Sequence, residues 1–170
     1  MSAATGAFVF EPPTLDATTG DAQLPYRGPD GTRFVERFAF GPPPADLDAD
    51  RAALARRLLA YLHGVAGVSY YKAHCAGALD LAATTLDDEA AAFLHEVYLH
   101  GLGEFAHVNG LDLGPRLVFT ATAAHAKLAP LDAALHRRAL VPVGGGKDSL
   151  VSVETLVHAG EPFALFAVNP

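Results

Sequence analysis

A run of three glycines between two apolar segments constrains the fold more than any other feature of the sequence. Residues 139–143 form a compact apolar run, the glycines follow directly at 144–146, and residues 150–159 place apolar side chains at helical spacing. A second apolar run starts at Phe163. A strand, a glycine-rich loop, a helix and a strand in this order predict a βαβ unit, the building block of a parallel sheet.

This βαβ unit lies at the end of a chain of 170 residues. Two parallel strands do not form a stable sheet, because parallel sheets have several strands and are covered by helices on both faces. We therefore expect a truncated sheet and a chain that is the front part of a longer protein. The expected division is an N-terminal region at residues 1–136 and the incomplete start of a second domain at residues 137–170.

The N-terminal region is predicted to be α+β, with a small antiparallel sheet and several helices. Aromatic residues recur at a period near two within residues 33–40, and Asp30-Gly31 favours a hairpin before them. Asp46 or Asp48 is a candidate N-cap for the first helix, and Gly64 is its candidate stop. The predicted helices cover about residues 48–63, 85–101 and 104–109, and short strands are predicted at 78–83 and 117–120. The predicted fold class is therefore α/β.

Charge and cysteine content exclude several classes of function. Lys and Arg total 12 against 19 Asp and Glu, a formal net charge of −7, so we expect no nucleic-acid partner, which would need many cations on one face. The single cysteine, Cys75, rules out an internal disulfide framework and favours a reducing compartment. No apolar run reaches the ~18–20 residues of a membrane span, so we expect a cytoplasmic protein without membrane contact.

The loop after the apolar run at 139–143 has the chemistry of an anion site. Glycines adopt backbone conformations that a Cβ blocks, so several N–H groups can turn towards one anion, and the following helix adds its positive end. Lys147 supplies a cation and Ser149 a hydroxyl, whereas Asp148 is either the N-cap of the helix or a ligand for Mg²⁺. The alternative is a tight glycine turn that binds nothing.

Two common nucleotide loops do not match this segment. The Walker A pattern requires glycine where Val141 stands and Ser or Thr where Asp148 stands. The dinucleotide fingerprint requires a third glycine, which this segment lacks. The segment instead resembles the PP-loop of ATP pyrophosphatases, Ser-Gly-Gly-x-Asp-Ser, with Gly144 in place of the first serine. The resemblance implies a Rossmann-like PP-loop sheet and cleavage of ATP between its α- and β-phosphates. The residues implied to hold ATP are Gly144, Gly145, Gly146, Lys147, Asp148 and Ser149, with Asp148 also the candidate Mg²⁺ ligand.

Three segments together resemble one PP-loop family more narrowly. They are Gly67-Val68-Ser69-Tyr70-Tyr71-Lys72-Ala73, Gly101-Leu102-Gly103-Glu104-Phe105-Ala106 and Val141-Pro142-Val143-Gly144-Gly145-Gly146-Lys147-Asp148-Ser149. The family is that of the UDP-N-acetylmuramoyl-L-alanyl-L-glutamate epimerases (MurL) of bacterial peptidoglycan precursor synthesis. The resemblance implies an isomerase that inverts the terminal L-glutamate of the UDP-linked muramoyl dipeptide, its small-molecule substrate. It also implies ATP and Mg²⁺ as cofactors, with AMP and pyrophosphate as products.

Candidate substrate residues lie in the first two of these segments. Tyr70, Tyr71 and Lys72 are candidates for binding the negative charges of the substrate, and Lys72 is conspicuous because lysine is scarce in this chain. Lys72 and Glu104 are the candidate catalytic residues, with Glu104 as a general base for the α-proton. The alternatives are a solvated surface lysine and an ordinary exposed carboxylate on a helix.

Two other functional classes are compatible with the sequence. One is another PP-loop ATP pyrophosphatase, an amide synthetase or a thiolation enzyme, and the other is a nucleotide-binding module without turnover. Residues 95–100 imitate a zinc-protease helix, but its second histidine would have to stand at Leu99, so we expect no zinc site. The pair His74-Cys75 is either reactive or a histidine beside a small buried thiol.

Overall fold

The computed structural model describes residues 6–45, 47–81, 83–84, 86–120, 129–131, 135 and 138–167 of the chain. The chain forms two compact units, residues 1–132 and residues 133–170. Each unit combines strands with helices, so the fold is mixed α/β. The domain boundary predicted between residues 136 and 137 lies outside the described residues and stays a prediction.

The first unit contains six strands and four helices among the described residues. The strands are β1 (Ala7–Phe10), β2 (Thr14–Leu15), β3 (Asp21–Arg27), β4 (Arg33–Ala39), β5 (Ala78–Asp80) and β6 (Val118–Thr120). The helices are α1 (Ala49–Ala66), α2 (Val68–Tyr71), α3 (Asp88–Gly101) and α4 (Gly103–Asn109).

The six strands form one mixed sheet. β3 pairs antiparallel with β1, β2 and β4, whereas β1, β5 and β6 run parallel to one another. The β3–β4 hairpin is confirmed, but the prediction of a small antiparallel sheet is wrong in extent, because two parallel strands join the same sheet. Parallel neighbours are connected through long crossovers, so no local turn signal indicates their pairing.

The two long helices of this unit begin at the aspartates that cap them. The Asp48 carboxylate accepts a hydrogen bond from the Arg51 N–H at 2.8 Å, which confirms the predicted N-cap of α1. The Asp87 carboxylate accepts from the Ala90 N–H at 3.0 Å at the start of α3. Each cap satisfies an N–H group that the helix itself leaves unpaired.

The last turn of α1 is packed too tightly for side chains at two glycines. A Cβ on Gly64 would lie 2.7 Å from Cδ1 of Leu94, and one on Gly67 would lie 2.7 Å from both Cε1 of Phe10 and the hydroxyl oxygen of Tyr98. The predicted stop at Gly64 is wrong, since α1 continues through it. Glycine stands at this position because α3 approaches the backbone closely, and not because the helix ends there.

The core of the first unit lies between the sheet and its helices. Alternate residues of β1 and β3 are buried, as the two-residue period of a strand requires. The largest side chains that are almost completely buried are Phe8, Phe10, Leu24, Tyr26, His63, Tyr71, Leu79, Leu81, Leu94 and Tyr98. Aromatic rings therefore supply much of the contact between the layers.

Three hydrogen bonds connect the end of α1 to its neighbours. The Tyr26 hydroxyl donates to the His63 carbonyl oxygen at 3.0 Å, and the Tyr98 hydroxyl donates to the Gly64 carbonyl oxygen at 2.9 Å. Nε2 of His63 lies 3.0 Å from the carbonyl oxygen of Pro25. Since a carbonyl oxygen only accepts, Nε2 carries the proton, and Nδ1 is left without a partner among the described residues.

The second unit consists of β7 (Ala139–Pro142), α5 (Lys147–Ala159) and β8 (Phe163–Phe166) in its described part. β7 and β8 pair in parallel with α5 between them, so the predicted order and pairing are confirmed. α5 begins at Lys147, three residues earlier than its apolar pattern indicates, because the loop residues themselves enter the helix. No helix within the described ranges of either unit is both long and apolar enough to cross a bilayer.

We predict that Gly67→Ala lowers the free energy of unfolding by about 1–3 kcal/mol, the range for overpacking a filled core. Urea denaturation followed by far-UV circular dichroism measures this loss. Gly101→Ala is the matched control, because nothing lies within 4 Å of the Cβ that it adds and alanine favours a helix. Equal losses in the two variants would contradict the packing described around Gly67.

We also predict that His63 makes stability depend on pH. Burial lowers the pKa of His63 from 6.5 to about 4, so the unfolded chain binds a proton at pH values where the folded chain does not. The free energy of unfolding is therefore highest above pH 6.5, where His63 is neutral in both states, and it decreases as the pH falls towards 4. The shift corresponds to about 3 kcal/mol.

Denaturation series between pH 7 and pH 4 test this dependence. His63→Gln can still donate to Pro25 but does not titrate, so its stability should fall much less over this range. His100→Gln removes an exposed histidine and should behave like the wild type. A wild-type slope that persists in His63→Gln would assign the pH dependence to another group.

Candidate functional site

The glycine-rich loop joins the carboxyl end of β7 to the start of α5. Residues 144–148 are exposed, and a Cβ on any of the three glycines would meet nothing within 4 Å. Gly145 has a φ of +80°, a conformation that other L-residues rarely adopt. The loop therefore follows a path that requires glycine at its centre and leaves open space beside its backbone.

The first N–H groups of α5 have no side-chain cap. Gly146 is the N-cap residue, with extended backbone angles of φ −84° and ψ 159°, and the Ser149 hydroxyl donates to its carbonyl oxygen at 2.7 Å. The first turn of a helix exposes unpaired N–H groups at the positive end of the helix dipole, an arrangement that binds phosphate groups. The alternative that Asp148 is the N-cap is wrong, since Asp148 lies within the first turn.

Lys147 and Asp148 place opposite charges at the entrance to this helix. Both side chains are exposed, and within the described ranges neither forms an ion pair with another side chain. Nowhere in the described part of the chain do three His, Cys, Asp or Glu side chains gather as a metal site. A Mg²⁺ ion bound through Asp148 would keep most of its water ligands, as Mg²⁺ commonly does beside a phosphate chain.

The first unit holds the other candidate residues, beginning with Tyr70 in α2. Its hydroxyl donates to Oε2 of Glu36 at 2.6 Å, and its ring stacks on Tyr26 and lies against Phe34 with centroid distances of 5.1 Å to both. The hydrogen bond to Glu36 and partial burial raise the pKa of Tyr70 to about 12. The ring of Tyr70 is therefore already packed against two aromatic neighbours, and its hydroxyl is already hydrogen-bonded.

Tyr71 is a core residue in this structure. Its side chain is completely buried, its hydroxyl donates to the carbonyl oxygen of Ala76 at 2.9 Å, and its ring packs edge-on against Phe8 and Tyr98. Burial raises its pKa to about 12. A direct contact between Tyr71 and a substrate would require this arrangement to open, so the structure places Tyr71 in support of its neighbours.

Lys72 and Glu104 are both exposed but lie in different segments. Lys72 follows α2 and caps its end. Glu104 lies in the first turn of α4. Neither side chain forms an ion pair with any other described residue, so both are available to a ligand, and the structure does not bring them into contact with each other.

A contact between His74 and the β3–β4 turn adjoins Lys72. Nε2 of His74 lies 3.0 Å from Oδ1 of Asp30, and this bond, together with Thr32, holds the pKa of Asp30 at about 2. The next residue, Cys75, has a φ of +46°, in the left-handed region that non-glycine residues rarely occupy. The segment after α2 is thus tied to the hairpin and turns sharply into β5.

A family model described as the MurL N-terminal domain matches residues 1–170. The chain belongs to this family. The resemblance inferred from the three sequence segments is confirmed.

Three relatives are named UDP-N-acetyl-alpha-D-muramoyl-L-alanyl-L-glutamate epimerase. The protein of Xanthomonas oryzae pv. oryzae is 44% identical over 90% of this chain, that of Micromonospora sp. is 42% identical over 96%, and that of Salinispora tropica is 38% identical over 96%. The aligned regions cover 34%, 37% and 36% of these relatives, so the chain spans about a third of their length. No solved structure matches the chain.

In this MurL domain, the sequence indicated the loop at 144–149 but not the contact between Asp30 and His74. Asp30-Gly31 is a turn signal, and nothing local links it to a histidine that follows α2. The same holds for Arg116, which lies two residues before β6. Such residues become candidates only when pairing of the strands brings distant segments together.

We predict that Glu36→Gln lowers the pKa of Tyr70 from about 12 towards its ordinary value of 10, because the hydrogen bond and negative charge of Glu36 cause most of the shift. NMR titration of ring-labelled tyrosine measures the change, and Tyr70→Phe identifies the signal. Glu96→Gln, which removes an exposed carboxylate on α3, is the control and should leave the titration unchanged. An unaltered Tyr70 titration in Glu36→Gln would contradict the contact.

Proposed function

We propose that this chain is the N-terminal part of an ATP-dependent epimerase that inverts the terminal L-glutamate of UDP-N-acetylmuramoyl-L-alanyl-L-glutamate. The observation that carries the proposal is the loop at residues 144–149, which places uncapped N–H groups and Lys147 at the start of α5. The names of the relatives supply the substrate. The loop resembles a PP-loop, and β7, α5 and β8 would open a Rossmann-like sheet.

The residues present fit a polyphosphate in three ways. Space is open beside each of the three glycines, so phosphate oxygens can approach the backbone. The N–H groups of the first turn of α5 are free to donate, and the Lys147 ammonium offsets negative charge. Asp148 is a carboxylate of the kind that Mg²⁺ prefers, and Ser149 places a hydroxyl in the first turn of α5.

The chemistry of the substrate explains why ATP would be needed. The α-carbon of the terminal glutamate bears an ionised carboxylate, and removing a proton beside that charge is very unfavourable. ATP held by the loop at 144–149 would supply adenylation of that carboxylate, with release of pyrophosphate, so that the acyl group beside the α-carbon would no longer carry a negative charge. A base of the protein would then remove the α-proton, a proton would return on the opposite face, and hydrolysis would give AMP and the D-glutamate product.

Each unit carries candidate residues for part of this work. The loop at 144–149 would hold and orient the phosphates, so that the α-phosphorus is presented to the carboxylate. Lys72 would bind negative charge on the substrate, and Glu104, exposed in α4, is the proposed base for the α-proton. No cysteine pair is required, which agrees with a chain that contains only Cys75.

The proposed location follows from the same chemistry. Cys75 is a free thiol, as is usual in a reducing compartment, and ATP and UDP-linked precursors are cytoplasmic metabolites. We therefore place the reaction in the cytoplasm, within peptidoglycan precursor synthesis, without a nucleic-acid or membrane partner.

We predict that Lys147→Ala and Asp148→Ala in the full-length enzyme each reduce AMP formation by about 10²–10³-fold, as the loss of one preorganised charge contact commonly does. AMP release is measured with ATP, Mg²⁺ and the UDP-linked dipeptide, and glutamate chirality is followed in parallel. Circular dichroism should show an unchanged fold, because both side chains are exposed. Arg56→Ala and Glu154→Ala, exposed residues outside the loop, should retain activity.

The outcomes separate the proposed function from its alternatives. Full AMP formation in both loop variants would refute the role of the loop. AMP release without inversion of glutamate would indicate another PP-loop ATP pyrophosphatase, such as an amide synthetase or a thiolation enzyme. Nucleotide binding without AMP release would indicate a module that binds nucleotide but does not turn it over.

A further inference from the structure

The parallel strands of the first unit bring two distant segments to one edge of the sheet. Residues 72–77 lead into β5 and residues 110–117 lead into β6. β5 and β6 are parallel, and Ala78 pairs with Val118. The segments that precede them therefore lie side by side, at what we call the amino edge.

Two cations stand in these two segments without an acidic partner. Lys72 is exposed and Arg116 is half-buried, and neither forms an ion pair among the described residues. Other arginines of the same unit are engaged, since Arg27 and Arg33 both bind Glu11. Because no described acidic side chain occupies the Arg116 guanidinium, its donors are available to an added anion.

Cys75 lies in the turn between Lys72 and β5. Its thiol donates to the carbonyl oxygen of Lys72 at 3.7 Å. Burial raises the pKa of this thiol, and the positive charge of Arg116 opposes that effect. Arg116 also opposes the rise in the pKa of Tyr71. The pairing of Ala78 with Val118 places Arg116 at the same end of the sheet as the turn that carries Lys72.

The backbone of the turn that follows α2 is held by several contacts. His74 contacts Asp30 at 3.0 Å, Tyr71 is buried and donates to Ala76, and Cys75 occupies a left-handed conformation. A backbone that is already ordered loses less conformational entropy when a ligand binds. Asp30 and His74 are thus positioning residues for the amino edge.

We propose that Lys72 and Arg116 form an oxyanion site that holds a carboxylate or phosphate group of the acidic substrate. This inference rests on the proposed function for the identity of that substrate, and it adds Arg116 to the residues that bind it. Arginine donates two parallel hydrogen bonds to either group, and lysine adds a point charge. The site belongs to the first unit and is distinct from the loop at 144–149.

The test compares Lys72→Ala and Arg116→Gln in the full-length enzyme. Each change should raise KM for UDP-N-acetylmuramoyl-L-alanyl-L-glutamate by about tenfold or more, because a charged hydrogen bond is lost, while KM for ATP stays unchanged. Arg116→Lys should recover part of the loss. Arg56→Gln, which removes an exposed arginine of α1 that is also unpaired among the described residues, should leave both KM values unchanged.

Two fragments of the substrate identify the group that is bound. Calorimetric titration with UDP and, separately, with N-acetyl-L-alanyl-L-glutamate should show weaker binding of one fragment in both variants. Loss of UDP binding assigns the site to phosphate, and loss of peptide binding assigns it to carboxylate. Binding of both fragments at wild-type strength in both variants overturns the proposal.

The kinetic outcomes keep this inference apart from the proposed function. An active enzyme whose substrate KM is unaltered in both variants overturns the oxyanion site and leaves the epimerase intact. A parallel rise in both KM values with a lower melting temperature shows a structural role and also overturns it. A wild-type protein that releases no AMP refutes the proposed function, and fragment binding then decides the oxyanion site alone. If Arg116→Gln does not fold, Lys72→Ala decides, since its side chain is exposed.

Discussion

The first unit depends on how the carboxyl end of α1 is fixed to the sheet. The carbonyl groups of His63 and Gly64 in the last turn of α1 accept hydrogen bonds from the buried hydroxyls of Tyr26 and Tyr98, and that of His63 also accepts one from the Gly67 N–H. Nε2 of His63 donates a hydrogen bond to the carbonyl oxygen of Pro25 in β3. A helix, a strand and a second helix are thereby joined at one point, and the candidate substrate segment starts directly after it.

This attachment explains why α2 carries such different side chains in succession. Gly67, which has no room for a side chain, links α1 directly to α2. Tyr71 then points into the core, and Tyr70 lies against the hairpin, where it meets Glu36. Lys72 is left outside. Each neighbour in the motif therefore has a different environment, although the sequence presents them as one polar and aromatic group.

Much of this fold was predictable from local signals, and the remainder required tertiary contacts. The caps at Asp48 and Asp87, the β3–β4 hairpin and the order of β7, α5 and β8 depend on residues close together in sequence. The parallel pairing of β5 and β6 does not, since the strands are short and connected by two helices. For the same reason the glycine loop could be recognised in the sequence, whereas Arg116 and the contact of Asp30 with His74 could not.

The absence of a side-chain cap at the start of α5 affects both the stability of this helix and the availability of its first N–H groups. Serine or aspartate in place of Gly146 would cap the helix and stabilise it by only a few tenths of a kcal/mol, because glycine is itself a tolerated N-cap residue. The new side chain would also occupy the same N–H groups that an incoming oxyanion needs. At this position a side-chain cap and an oxyanion would compete for the same N–H groups. The glycine that is present leaves these groups uncapped.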